Sequence, residues 1–282
     1  MFLVIGLITI AYGIAIYLLL PDSPMASRLS TEEKYHAIER VRENQTGIEN
    51  TTFKRYQCLE TLRDPQNWLF ALMFSAIQIS AGAISSFQAI IISGLGFDSK
   101  ESSLLQIGGA VLSILSSLAG SWLAANYNQR CFSILALLIP GFIGNCMLAF
   151  APASQGAVRL AGVYLANITG SSIPLVYSWI GANVAGHTKK VMSNAMLLMA
   201  YALGNILGPL SFRNADSPEF LPAKTAMAVT SVFAMAICLT LRGYYMWQNS
   251  RRDKAHGHLE VLTNIEFSDL TDRENPLFRY RL

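Results

Sequence analysis

The sequence predicts an all-α, polytopic membrane protein with seven transmembrane helices, and three observations predict it. Seven apolar runs each approach the roughly 20 residues that a helix needs to cross the hydrocarbon core. Only 14% of the 282 residues are charged, while 52% are hydrophobic; a soluble domain carries about a quarter charged residues. The alternating pattern of a transmembrane β-barrel is absent, and a backbone with no water to bond must then be helical.

The first run, 2–20, carries no charge, no basic stretch ahead of it and no small-residue cleavage site, so it reads as a span and not as a removable signal peptide. Pro21-Asp22-Ser23-Pro24 stops it. In the hydrophilic segment 21–66, Ser30-Thr31-Glu32-Glu33 has the form of a capping box and predicts a surface helix of about three turns. Phe53, Tyr56 and Leu59 among Lys54, Arg55 and Arg63 predict a second, amphipathic piece on the headgroups. Asp64-Pro65 supplies an N-cap and a proline at the first helical position before the span 67–93. The spans 103–125, 131–150, 158–182, 192–212 and 224–247 follow, with Pro218 and Pro222 flanking the start of the last. Residues 248–282 form a polar tail, and residues 67–247 form a six-helix unit.

Orientation follows from the lysines and arginines, which concentrate in cytoplasmic connections. Segment 21–66 holds Arg28, Lys34, Arg40, Arg42, Lys54, Arg55 and Arg63; Arg130, Lys189, Lys190, Arg251, Arg252 and Lys254 fall on the same side. The opposite side has Lys100, Arg159, Arg213 and Lys224. The long loop and the C-terminus are therefore expected in the cytoplasm. The same distribution turns the net charge of +3 into a topology signal and not a nucleic-acid footprint. Of the three sequons, Asn44-Gln45-Thr46 and Asn50-Thr51-Thr52 are then cytoplasmic and Asn167-Ile168-Thr169 is within the bilayer, so none is expected to carry glycan. Cys58, Cys131, Cys146 and Cys238 have no metal or redox spacing and read as apolar filling. His256-Gly257-His258 is a weak metal pattern in a solvated tail; no cofactor, no metal and no catalytic constellation is expected, so the chain is not read as an enzyme.

Several segments carry a resemblance. Leu20-Pro21-Asp22-Ser23-Pro24, Leu29-Ser30-Thr31-Glu32-Glu33-Lys34 and Glu43-Asn44-Gln45-Thr46-Gly47 resemble the sixth helix and central loop of fungal allantoate-permease-like transporters, anion:cation symporters of the major facilitator superfamily. The most specific stretch runs through Asn183-Val184-Ala185-Gly186-His187-Thr188-Lys189-Lys190, Asn194-Ala195-Met196, Tyr201, Gly204-Asn205-Ile206-Leu207-Gly208-Pro209 and Phe212-Arg213. Leu270-Thr271-Asp272-Arg273-Glu274-Asn275-Pro276-Leu277-Phe278-Arg279-Tyr280 closes the match. The resemblance implies the last seven of twelve helices, with 1–20 equivalent to helix six. It also implies a small organic anion as substrate (allantoate, a ureido acid or a vitamin carboxylate), protons as coupling ions, a plasma-membrane location, and an N-terminal half outside this sequence. Where relatives carry an Asp-Arg pair associated with gating, this sequence has Ala125 and Asn126.

Polar residues at helical spacing mark candidate walls of a site. Asn194, Tyr201 and Asn205, continued by Gly208, share one face of the span 192–212. Asn167, Ser171, Pro174 and Ser178 share a face of 158–182, with Tyr177 beside it, and Pro174 frees a backbone carbonyl. Gln78, Gly82, Ser85 and Ala89 form a stripe on 67–93. Gln78, Ser85, Asn167, Ser171, Tyr177, Asn194, Tyr201 and Asn205 are thus substrate-binding candidates, and Gly204, Gly208, Pro209 and Pro174 gating or packing candidates. The alternative for every stripe is helix packing through small residues and interhelical amide bonds. No Asp, Glu, Lys or Arg is expected deep in a span, which leaves a charge-changing group to the other half. Arg159, at the end of the fifth span, either attracts an anion or snorkels. Two other classes remain: a seven-helix receptor, and a non-transporting remnant that associates with a full-length relative.

Overall fold

The computed structural model describes residues 2–21, 27–42, 52–152, 154–217, 219–255 and 269–282. The sequons at Asn44 and Asn50, the His256 and His258 pair, Asp22-Ser23-Pro24, Pro218 and the Glu43–Gly47 stretch lie outside them. Among the described residues the chain forms ten α-helices and no strand: α1 Phe2–Leu19, α2 Thr31–Arg42, α3 Arg55–Arg63, α4 Pro65–Ser93, α5 Ser99–Tyr127, α6 Arg130–Phe150, α7 Gly156–Asn167, α8 Ile173–Asn183, α9 His187–Leu210 and α10 Leu221–Ala255. With α7 and α8 counted as one crossing, seven elements are long and apolar enough to span a bilayer.

Local chemistry sets the helix starts. Ser30 donates its backbone N–H to Glu33 Oε2 at 2.8 Å, and Glu33 returns its N–H to Ser30 Oγ at 3.3 Å, which closes the box ahead of α2. Asp64 accepts from the Gln66 N–H and Pro65 takes the first turn of α4. Asp98 and Glu101 cap α5 reciprocally. Its other end is turned by Asn128 in the left-handed region at φ 49°, a conformation that Asn tolerates. Within the fifth crossing, Pro174 has no N–H to give the preceding turn, and the chain tightens into a 3₁₀ segment, Ile168–Ser172, between α7 and α8.

The bilayer explains the inside-to-outside contrast. Helix α5 turns Leu104, Ile107, Ile114, Leu118 and Trp122 outward, and its buried residues are Ser102, Gly109 and Gly120. Small residues let backbones approach where lipid competes equally well for large apolar side chains. On α6, a Cβ at Gly144 would meet Ala166 N at 2.5 Å and Gly162 O at 2.7 Å. On α9, a Cβ at Gly208 would meet Ile79 O at 2.5 Å, and one at Gly204 would meet Ser75 O at 2.7 Å. These are the α6–α7 and α4–α9 seams. Helix α10 packs on α4 and α6, where the thiols of Cys131 and Cys238 meet at 3.5 Å. Helix α1 has no buried residue.

Two apolar clusters fill the bundle, one around Phe70, Phe74, Trp179 and Tyr245, the other around Ile84, Ile92, Leu148, Val163 and Met227. Asn145 ties α6 to α4 and α10. Its buried amide donates to Ser80 Oγ of α4 at 2.9 Å and to Ser231 Oγ of α10 at 3.0 Å. Interhelical bonds of this kind contribute about 0.6–2 kcal/mol in membranes. Asn145→Leu is therefore expected to lower the thermal midpoint of the purified chain by a few degrees; an unchanged midpoint would show that the two serines find other partners.

Candidate functional site

The open face of the bundle carries a polar hollow of about 210 Å³, lined by Gln78, Ala81, Ile84 and Ser85 of α4, Ala166 and Asn167 of α7, Gly170 and Ile173 beside the 3₁₀ segment and α8, and Tyr201 and Asn205 of α9. Five of the eight substrate-binding candidates meet here: Gln78, Ser85, Asn167, Tyr201 and Asn205. Gln78 stands halfway along α4, is buried, and its Oε1 has no hydrogen-bond partner. Asn167 donates to Gln88 Oε1 at 3.1 Å and to Val163 O at 2.8 Å. Asn205 donates to Tyr201 O at 2.9 Å, and Ser85 to Gly82 O at 3.2 Å. The wall therefore offers neutral amide and hydroxyl groups, and Gln78 holds unspent hydrogen-bonding capacity in an apolar surround, where an unmet polar atom costs roughly 1–3 kcal/mol.

Three candidates lie elsewhere. Ser171 is buried against α5, where its hydroxyl donates to Ser113 O at 2.8 Å and meets Ser116 Oγ at 3.2 Å. Tyr177 packs edge-on to Phe74 at 5.4 Å, and Phe74 in turn lies 6.0 Å from the Tyr201 ring. Asn194 is exposed toward the start of α9. Gly204 and Gly208 belong to the α4–α9 seam, Pro209 lies in the last turn of α9, and Pro174 is exposed at the start of α8. Near Pro174, where the resemblance calls for an acidic residue, Ala125 lines a hollow of about 240 Å³ together with Arg130. The Arg130 Nε reaches Ser178 Oγ at 3.2 Å, but its buried Nη1 has no partner.

Sequence reasoning missed a second polar centre. Lys189 and Lys190 read as loop residues, yet α9 begins at His187 and Lys189 is fully buried. The Lys189 Nζ lies 2.8 Å from each of three carboxylates: Glu60 of α3, Asp64 at the start of α4 and Asp272 near the C-terminus. These three carboxylates have a separation a metal would accept, but the ammonium sits between them and supplies the positive charge. Residues 269–282 form a strap across this end of the bundle. Tyr280 stacks on Tyr245 at 4.9 Å, its hydroxyl donates to Asp272 Oδ2 at 2.8 Å, and burial together with Asp272 raises its pKa, which keeps it a neutral donor. Trp179 and Asn183 both donate to Arg281 O at 2.9 Å. At the start of α9, Gly186 adopts φ 88°, which favours glycine, and Gln57 Oε1 accepts the N–H groups of Thr188 and Lys189. The sequence signal for this centre lies in the Asn183–Lys190 stretch and the close of the chain, two segments of the family resemblance that are far apart in the sequence.

Comparison with known proteins agrees with this architecture. Residues 1–209 match the model of the Major Facilitator Superfamily. The chain is 37% identical to the allantoate permease of Saccharomyces cerevisiae, with 100% of this chain and 54% of that protein covered. It is 34% identical to a thiamine pathway transporter of the same yeast, covering 99% and 54%, and 34% identical to an MFS-type transporter of Penicillium expansum, covering 99% and 58%. The chain spans about half the length of these curated relatives, which are named as permeases and transporters and not as enzymes. Its helices, its multi-pass pattern and these matches together place the chain in the Major Facilitator Superfamily of membrane transporters.

Proposed function

We propose that the chain forms the C-terminal half of an alternating-access transporter for small organic anions, in which Gln78, Ser85, Asn167, Tyr201 and Asn205 make one wall of the substrate site. The observation that carries the reading is the polar hollow at mid-depth on an otherwise uncovered face, with the buried Gln78 carbonyl still unpartnered. Major facilitator transporters hold substrate near the midplane between two halves. The opposing wall, and the charge-changing group for proton coupling, would come from a second half, within a longer chain or from a full-length relative. The Gln78 side chain carries an NH₂ donor that can bond a carboxylate or ureido group, so Gln78 suits an allantoate-like solute. The lysine and arginine distribution supports the strap and segment 21–66 on the cytoplasmic side of the membrane, and a plasma-membrane location is part of the same proposal.

The test is uptake of labelled allantoate by permease-deficient yeast. One strain carries residues 1–282 alone; another carries them joined behind the preceding spans of the yeast permease. The joined protein is expected to transport at least one ureido or carboxylate solute, with Gln78→Ala lowering uptake about tenfold, the loss of roughly one charge-assisted hydrogen bond. Proton-dependent uptake by residues 1–282 alone would overturn the two-half reading.

A further inference from the structure

At the end of the bundle opposite the strap, a second hollow of about 280 Å³ lies among the last residues of α4, the first turn of α7 and the first turn of α10, and shares no lining residue with the polar wall above. Its lining combines apolar Ile90, Ile91, Leu148 and Phe220 with charged Arg159, Glu219 and Lys224. We propose that this hollow is an anion site, built for one singly charged oxyanion, a carboxylate or a phosphodiester, that bridges Lys224 and Arg159.

The electrostatics favour an anionic occupant. Lys224 is 5% exposed, and among the described residues its ammonium has one ion-pair contact, Glu219 Oε2, at 4.0 Å. That distance is beyond hydrogen bonding. Glu219 is committed elsewhere: Arg159 holds Oε2 at 3.0 Å through Nη2 and Oε1 at 3.4 Å through Nη1, and about half of the Glu219 side chain faces solvent. Arg159 also donates from Nε and Nη2 to Ala151 O at 3.1 and 3.0 Å, which fixes the guanidinium and draws the carboxylate away from the lysine. A largely buried lysine whose three N–H donors have no protein acceptor at hydrogen-bond distance among the described residues is poorly compensated, and an anion in the hollow would supply that acceptor.

Snorkelling is limited, since the Lys224 side chain is 6% exposed, and because Lys224 lines the hollow an occupant there can reach its ammonium. Two cations and one carboxylate leave one positive charge, and the N-termini of α7 and α10 add to it. A monoanion neutralises the set; a dianion would exceed it. The apolar lining residues suit the alkyl part of an organic acid or the glycerol and acyl region of a phospholipid. The chemistry is shared by a free carboxylate and an anionic headgroup, and it stands whether or not the transport reading holds.

The test uses the full chain in nanodiscs, read by thermal midpoint. In neutral phosphatidylcholine, sodium acetate is compared with sodium chloride at equal ionic strength; in parallel, phosphatidylglycerol is added to the lipid. An acetate-specific rise of about 2 °C or more identifies a free anion; a rise that needs phosphatidylglycerol identifies a headgroup. Lys224→Met is expected to abolish the rise while raising the midpoint without anion, because it removes an unmatched buried charge. Glu219→Gln removes the competing internal carboxylate and is expected to lower the concentration for half effect about tenfold, and it carries the test if the first variant does not fold. No rise from either source, an undiminished rise in Lys224→Met, or a weaker response in Glu219→Gln would each overturn the proposal.

Discussion

Replacing Lys189 with methionine is expected to destabilise the chain by about 3–5 kcal/mol, the scale for removing one partner of a buried charge network. The side chain fits, since methionine matches the lysine stem, so the loss isolates the charge. Without the ammonium, Asp64 retains Arg273 Nη2 at 3.0 Å, and Glu60 retains partial solvent access. Asp272 fares worst. It is fully buried, and its remaining side-chain partners are Tyr280 OH at 2.8 Å, Gln66 Nε2 at 3.1 Å and Ala185 N at 3.5 Å, all neutral. Asp272→Asn in the Lys189→Met background should therefore recover a large part of the loss, and Glu60→Gln little of it. Thermal midpoints of the single and double variants provide the measurement. If Lys189→Met falls within about 1 kcal/mol of the parent, or if Asp272→Asn recovers nothing, the strap is not held by this charge.

That cluster shows where the sequence stops being legible. Hydropathy located all seven crossings, because lipid contact imposes an unbroken apolar surface over some 20 residues. It placed the start of α9 at 192, where the structure begins it at His187, since a lysine counts as polar whatever neutralises it. The carboxylates that neutralise Lys189 lie far away in the chain, at 60, 64 and 272, and no local pattern joins them. Asn145 was hidden for the opposite reason: one amide inside an apolar run leaves the average unchanged, yet it links three helices. The polar stripes on α4 and α9 were readable because both helices are regular through Gln78 and Asn205. Ser171 was misplaced by the same rule. Its face was taken from Asn167 on α-helical spacing, but the intervening residues are 3₁₀, wound at about 120° per residue in place of 100°. Four such steps turn the hydroxyl away from the hollow and onto α5. The hollow itself needed coordinates, because it is defined by helices whose approach is set by glycines and not by the residues that line it.

That dependence predicts the largest combined effect on fold and site. Gly204→Leu is expected to cost about 3 kcal/mol or more and to abolish uptake in the joined protein, with no change at any residue that lines the hollow. The Cβ alone would collide with Gln78 Cβ and lie 2.7 Å from Ser75 O, and both belong to the backbone-close face of α4. Neither obstacle is the far end of a flexible side chain, so α9 must shift away from α4, at the upper end of the 1–3 kcal/mol typical of overpacking or beyond it. Shifting α9 carries Tyr201 and Asn205 away from Gln78, which opens the wall across its middle. Gly181→Ala is the control: its Cβ meets nothing within 4 Å, and it sits within α8. There alanine should stabilise slightly, by up to about 1 kcal/mol, and leave uptake unchanged. If Gly204→Leu folds and transports like the parent, the α4–α9 seam is not what sets the geometry of the site. If it folds with near-parent stability but loses uptake, the seam acts on the site alone. Loss of both, with Gly181→Ala unaffected, ties the substrate wall to the close backbone approach of α4 and α9.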